Sequence, residues 1–416
     1  MPAVPWQGYS RPTVPPRTRP SGPSRRCGPN VLDVKGSRVL VTDGEFKHSL
    51  GIVRALAGRE HEVHVLALSA RAPAVHSRAV AAWHRVPGPR DPGFDEAFLA
   101  IAQTLAPVSL VPVGDGAIAA AHRLRSRWPE DVRVALPPPE SLEIANDKAR
   151  SAELAGVLGV SVPRQMVAAD SKAALRAFRQ FGSPVVVKGC REAGRKILRY
   201  VRREADVATA FERVRAESGE APLVQEYLPG EGWGFFALYW QGACLRQFMH
   251  RRVREWPPSG GTSACAESIV VAPDLERAGR RLLDALAWHG VAMVEFRRTP
   301  AGRLAFLEVN AKFWGSLDLA LAAGVDFPGD LVARLEGGPL PEEQAPYRQV
   351  RFAWPLGGDL WHGLVRPRAM PRVLADLLSP RVVKSMRMDD PVPHFYEFLQ
   401  WARSTPSAWR EFWELR

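Results

Sequence analysis

The chain has 416 residues, more than one compact core accommodates, so two or three domains are expected. Hydrophobic residues make up 46% and charged residues 24%, a globular profile, and no run reaches the roughly 18 consecutive apolar residues of a membrane helix. A net charge of +12 invites a nucleic-acid partner, yet Arg11, Arg17, Arg19, Arg25, Arg26 and Lys35 against Asp33 concentrate much of it in the first 37 residues.

The remaining charge is dispersed, so small polyanions such as nucleotides suit it as well as long ones, and nucleic acid is not required. The four cysteines, Cys27, Cys190, Cys244 and Cys265, form no CxxC pair. That spacing argues against a disulfide framework and a zinc site and fits a reducing cytoplasm, while the lack of a long apolar run predicts no membrane partner. The N-terminal segment, broken by Pro, Arg and Gly, lacks the apolar run of a signal peptide.

Residues 1–37 hold eight prolines and no hydrophobic period, which predicts a disordered basic tail. SRVLVTDGE (37–45) reads as a strand, FKHSLGIVRALAGR as a helix and HEVHVLALS (61–69) as a second strand. A helix at 95–106 and a strand at 108–116 follow. Strands alternating with helices predict a doubly wound parallel sheet over residues 38–140, without the GxGxxG turn of a dinucleotide site. Residues 141–228 read as an α+β piece with strands at SPVVVKGC (183–190) and APLVQEYL (221–228). Residues 229–344 read as mostly antiparallel, with strands near 233–254, 265–272, 290–298 and 303–310, and helices from 316. The segment 345–416 carries five tryptophans (354, 361, 401, 409 and 413) and reads as a helical appendage.

The most informative stretch is the hairpin VAMVEFRR (291–298) and RLAFLEVN (303–310), joined by Thr-Pro-Ala-Gly. Centring its turn between Ala301 and Gly302 sets Glu295 directly across from Glu308 on one face. Like charges so placed need a cation or a shared proton. Asn310, two residues on, adds a neutral oxygen, and two carboxylates with an amide suit Mg²⁺ or Mn²⁺. A hairpin with one wet, acidic face is the plainer alternative.

Other candidates surround it. Lys188 ends the apolar run VVVK and either emerges into solvent or points at an anion. Lys148 sits near a helix N-terminus, where the macrodipole disfavours a cation unless an anion is close. GCREAGRKI (189–197) is either a basic loop that closes over phosphates or a solvated turn. QEYLPGEGWG (225–234) presents backbone suited to an adenine edge, or turns between domains. RRVREWPPSGGTS (251–263) places Arg251, Arg252 and Arg254 before a Gly-rich loop able to hold an anion.

Taken in order, NDK, VVVK, the basic Gly loop, QEYLPGE, VEF and LEVNAKFWGS resemble the ATP-grasp superfamily over residues 38–336, and RRVREWPPSGGTS with VEFRR is similar to its carboxylate–amine ligase branch. The resemblance implies α/β and α+β architecture: a doubly wound parallel pre-ATP-grasp domain followed by a two-subdomain ATP-grasp fold, with lid at 141–228 and metal-bearing subdomain at 229–344. It implies that ATP phosphorylates a small-molecule carboxylate, an amine displaces the phosphate, and ADP is released. Lys148 and Lys188 would contact ATP phosphates. Glu226, Tyr227 and Leu228 would line the adenine and Glu231 would bind ribose. Glu295, Glu308 and Asn310 would hold Mg²⁺ or Mn²⁺, while Lys312, Arg297 and Arg254 would serve the chemistry. The lid loop has fewer Gly and Ser than the family form, and Lys312 stands where Arg is commoner, keeping charge but losing the planar fork. A thiol acceptor, carboxylation chemistry, a non-catalytic nucleotide-binding regulator and a nucleic-acid binder are the alternatives, with a homodimer as the assembly to test.

Overall fold

A computed structural model describes residues 36–191, 197–258 and 260–414, with side chains to residue 403. The predicted basic tail and most of the Gly-containing basic loop therefore lie outside the described residues, as does Ser259.

The first domain alternates β1 (Arg38–Val41), α1 (Lys47–Ala57), β2 (Glu62–Ala67), β3 (Ala82–Arg85), α2 (Phe94–Leu105), β4 (Val108–Val111), α3 (Asp115–Arg123) and β5 (Val132–Val134). Its sheet is parallel, in the order β3-β2-β1-β4-β5. Successive residues of β1 serve opposite cores: Val39 and Val41 pack with α1, while Leu40 packs with Phe94 and Phe98 of α2. Burial on both faces explains why RVLV has no polar alternation. Strand order reverses at β1 and β4, so the segments leaving them, Thr42–Phe46 and Pro112–Gly114, open a crevice at their carboxyl ends.

Next come α4 (Pro139–Asn146), α5 (Lys148–Val157), β6 (Gln165–Val167), α6 (Ser171–Phe181), β7 (Val185–Lys188), β8 (Leu198–Val201), α7 (Val207–Ser218) and β9 (Leu223–Glu226). The strands form an antiparallel sheet ordered β6-β9-β7-β8, with Phe178 of α6 and Phe211 of α7 in its core. Helices α4 and α5 do not join this core. Leu142, Ala152 and Ala155 pack instead with Phe235, Phe296 and Phe306 of the large sheet, so the small unit starts nearer residue 165 than 141.

The remaining elements are β10 (Glu231–Trp240), β11 (Ala243–Trp256), β12 (Thr262–Ser268), α8 (Pro273–Ala285), β13 (Gly290–Arg298), β14 (Leu304–Asn310), α9 (Leu317–Ala323), α10 (Phe327–Leu335), β15 (Arg351–Ala353), α11 (Leu360–Val365), α12 (Met370–Leu378), β16 (Val382–Lys384) and α13 (Val392–Glu414). They build a seven-stranded sheet ordered β14-β13-β10-β11-β12-β15-β16. One face carries α8 with α4 and α5. The other packs Phe236, Phe248 and Trp314 against α1, α9 and α10, in one core with Val39 and Val41. The reading of 345–416 as a helical appendage is corrected here. Arg351–Ala353 pairs with β12 and Val382–Lys384 continues the sheet, because three-residue strands are too short to show a period. Among the described residues no helix is long and apolar enough to cross a membrane.

Candidate active site

The β13–β14 hairpin brings Glu295 opposite Glu308, as its sequence implies, but by a different route. Near the turn Arg298 faces Leu304 and Phe296 faces Phe306, one residue out of the expected register. A bulge between Glu295 and Phe296 restores the carboxylate pairing. Gly302 adopts φ +84°, a left-handed conformation that glycine takes without steric cost and that closes the turn.

Both carboxylates are buried, and each has a basic partner. Arg252 of β11 grips Glu295 with two bonds of 2.8 and 2.7 Å. Lys148 lies 3.2 Å from Glu308. Burial works against the Arg252 charge, but Glu295 and Glu255 more than offset it and hold the guanidinium above its ordinary value. Local structure fixes Lys148. Asp147 caps α5 by accepting from the backbone N–H groups of Ala149 and Arg150 at 2.9 and 3.1 Å, and the Lys148 N–H donates to the Cys190 carbonyl at 2.9 Å. Asn310 Nδ2 lies 3.4 Å from Glu308 Oε1, a long contact.

On one side of the pair is a cavity of about 110 Å³ between the small and large sheets. Lys148, Lys188, Glu226, Tyr227, Leu228 and Arg297 all line it. Lys188 is buried and donates to Gln225 at 3.0 Å, so its run ends in the cleft rather than in solvent. The Glu226 carboxylate turns to Arg164 at 3.2 Å, while Glu226, Tyr227 and Leu228 form one stretch of the cavity wall. Tyr227 meets Tyr200 edge-on at 5.8 Å, and burial pushes the Tyr200 phenol up to about 12. Arg297 reaches the Gly230 carbonyl at 3.1 Å and Glu255 at 3.4 Å.

Two expected residues sit elsewhere. Glu231 is exposed and faces Arg251 and Trp233, each at 3.3 Å. Arg254 is buried between Asp359, at 2.6 and 2.9 Å, and Asp376, at 2.7 Å. Irregularities in the β11–β12 pairing on either side of Arg254 separate its environment from that of Arg252. It ties the C-terminal segment to the sheet.

Beyond the pair lies a second cavity of about 410 Å³, which shares Glu295, Glu308 and Arg252 with the first. Its walls include Lys47 and Asp115 from the crevice of the first domain, with Asn310, Lys312 and Trp314. Lys312 is ion-paired with Asp115. Sequence reasoning missed Lys47 and Asp115. The available signal was their place in DGEFKH and GDG, just after the strands that flank the switch point.

Over residues 218–355, the stretch that carries Glu295, Glu308, Asn310 and Lys312, the sequence matches a family described as ATP-grasp in the biosynthetic pathway with Ter operon. That stretch of the chain is ATP-grasp in sequence. The chain is 26% identical over 263 residues to acetyl-CoA carboxylase 2 of Oryza sativa subsp. japonica, covering 54% of this chain and 11% of the carboxylase. The chain thus spans about a tenth of that relative's length. The Campylobacter jejuni biotin carboxylase–beta-gamma-ATP complex superposes with a TM-score of 0.63 at 14% identity, over 76% of this chain and 74% of that one. The biotin carboxylase domain of Hydrogenobacter thermophilus 2-oxoglutarate carboxylase, in complex with MgADP, ADP and bicarbonate, superposes at 0.61 and 17% identity, over 76% and 72%. At these identities the solved structures speak for the ATP-grasp fold.

Proposed function

We propose that this ATP-grasp protein is an ATP- and Mg²⁺-dependent ligase that activates a small-molecule carboxylate as an acyl phosphate and joins it to an amine, releasing ADP and phosphate. The observation that carries the reading is the opposed Glu295–Glu308 pair, buried between two cavities with a cation on each carboxylate. Glu295, Glu308 and Asn310 are hard oxygen donors, a set that fits Mg²⁺ when phosphate oxygens complete the shell. Bound there, ATP and Mg²⁺ supply a polarised γ-phosphoryl group for transfer to a carboxylate.

The chain's own residues do the rest. The 226–228 backbone would hold the adenine edge, and Lys188 and Lys148 would take phosphate oxygens. Arg252, clamped on Glu295, orients that carboxylate and supplies positive charge at the boundary of both cavities. Lys312, oriented by Asp115, would stabilise charge on the acyl side. Arg297 would add charge at the cleft rim. No covalent protein nucleophile is needed.

A second reading, carboxylation through bicarbonate activation, is favoured by the carboxylase relatives. The test is a screen for ADP release with pairs of carboxylates and amines, with mass detection of the product. Release that needs both partners and yields a condensed amide supports the ligase. Release that needs bicarbonate and yields a carboxylated product supports the second reading.

A further inference from the structure

The larger cavity brings together charge and apolar surface from two domains. Phe46, Met293, Phe313 and Trp314 supply apolar wall, and Lys47, Arg252 and Lys312 supply cations. Two of those cations already face carboxylates: Arg252 faces Glu295, and Lys312 faces Asp115. Lys47, the first residue of α1, is held differently. Its ammonium donates to the Ser263 carbonyl at 3.3 Å and stands 4.7 Å from the centre of the Trp354 ring, both neutral partners. Asp318 from α9, Glu397 from α13 and Arg252 from β11 face it through space, and Lys47 is adjacent to His48. Burial, partly offset by Asp318, pulls the Lys47 ammonium down to about 8. A desolvated ammonium with neutral partners gains strongly from an anion. In the same wall, the buried Trp314 indole N–H has no acceptor among the described residues, which leaves a second donor for such a group.

We propose that Lys47 is the recognition residue for the carboxylate of an amphipathic substrate, whose aryl or alkyl body lies on Phe46, Met293 and Phe313. This rests on the ligase reading of the site and specifies its substrate class. Lys47 and Ser263, from different domains, meet on this cavity, so the crevice of the first domain serves as a specificity element.

The test is calorimetric titration of the full chain, without nucleotide, with 4-phenylbutyrate and its neutral analogue 4-phenylbutanamide. The wild type is expected to bind the acid about 10-fold or more tightly than the amide, a preference on the scale of one charge-assisted hydrogen bond. Lys47→Met is expected to lose that preference and Lys47→Arg to keep it. Raising the pH from about 7 to about 9 neutralises Lys47, so acid affinity falls in the wild type and not in Lys47→Arg. Equal binding of acid and amide, no saturable binding of either, or an unchanged preference in Lys47→Met overturns the proposal. MgADP binding on the same wild-type samples separates the two claims. Normal MgADP binding without acid preference sinks the Lys47 assignment alone, and acid preference without MgADP binding sinks the ligase reading alone.

Discussion

Replacing Arg254 with Met should destabilise the protein without disabling its site. Arg254 donates two bonds to Asp359, which is wholly buried, and one to Asp376, so its loss leaves a carboxylate desolvated and unpaired. Breaking a buried pair from one side costs about 3–5 kcal/mol. Burial already pushes the Asp359 carboxyl up, with Arg254 opposing the shift; without Arg254 it takes a proton, which moves the cost toward the lower end. Asp376 keeps Arg351 at 3.4 Å and adds little. The expected outcome is a loss of about 3 kcal/mol in urea unfolding, with MgADP affinity of the folded fraction unchanged. Arg254→Met combined with Asp359→Leu should recover most of the loss, because an apolar pair of similar volume needs no desolvation offset. A loss under about 1 kcal/mol refutes the argument, as does a stable single variant that no longer binds or turns over nucleotide.

Two further predictions follow from buried groups. Lys188→Met should weaken MgADP binding by about 10-fold or more, read by calorimetry, since the proposed nucleotide cleft then loses a lysine that offers charge to phosphate; unchanged affinity counts against the cleft assignment. His250, sealed against Phe236 at 4.5 Å and bonded to Ser316 at 2.8 Å, is pulled down by burial to about 3. Between that value and the unfolded value near 6.5 the unfolded chain binds the extra proton, so the histidine makes stability fall as pH drops, by about 1.4 kcal/mol per pH unit. His250→Asn should flatten the urea-midpoint slope between about pH 6 and pH 4, and an identical slope contradicts the burial argument.

Much of the scaffold was legible because parallel strands buried on both faces, such as RVLV, announce themselves by lacking polar residues. The Glu295–Glu308 pair was also legible, although two offsets cancelled: the pairing beside the turn is one residue out of the expected register, and the bulge at Glu295 returns it. A bulge leaves no mark in composition. Alternation could not tell Arg252 from Arg254, since irregular pairing beside them sends one to Glu295 and the other to Asp359. Lys47 and Asp115 were illegible for another reason. Their partners, Ser263 and Lys312, lie about 200 residues away, and only the packing of the first domain on the large sheet brings them together. The three-residue strand β15 gave no period, so the C-terminal segment was not read as part of that sheet.

Central to the proposed function is whether the opposed carboxylates hold the divalent cation of the nucleotide complex. The direct measurement is ADP affinity with and without Mg²⁺ in the wild type and in Glu308→Gln. Mg²⁺ is expected to tighten ADP binding in the wild type by about 10-fold or more, and Glu308→Gln to bind metal-free ADP normally but gain nothing from Mg²⁺. An undiminished Mg²⁺ enhancement in Glu308→Gln would contradict the proposed function.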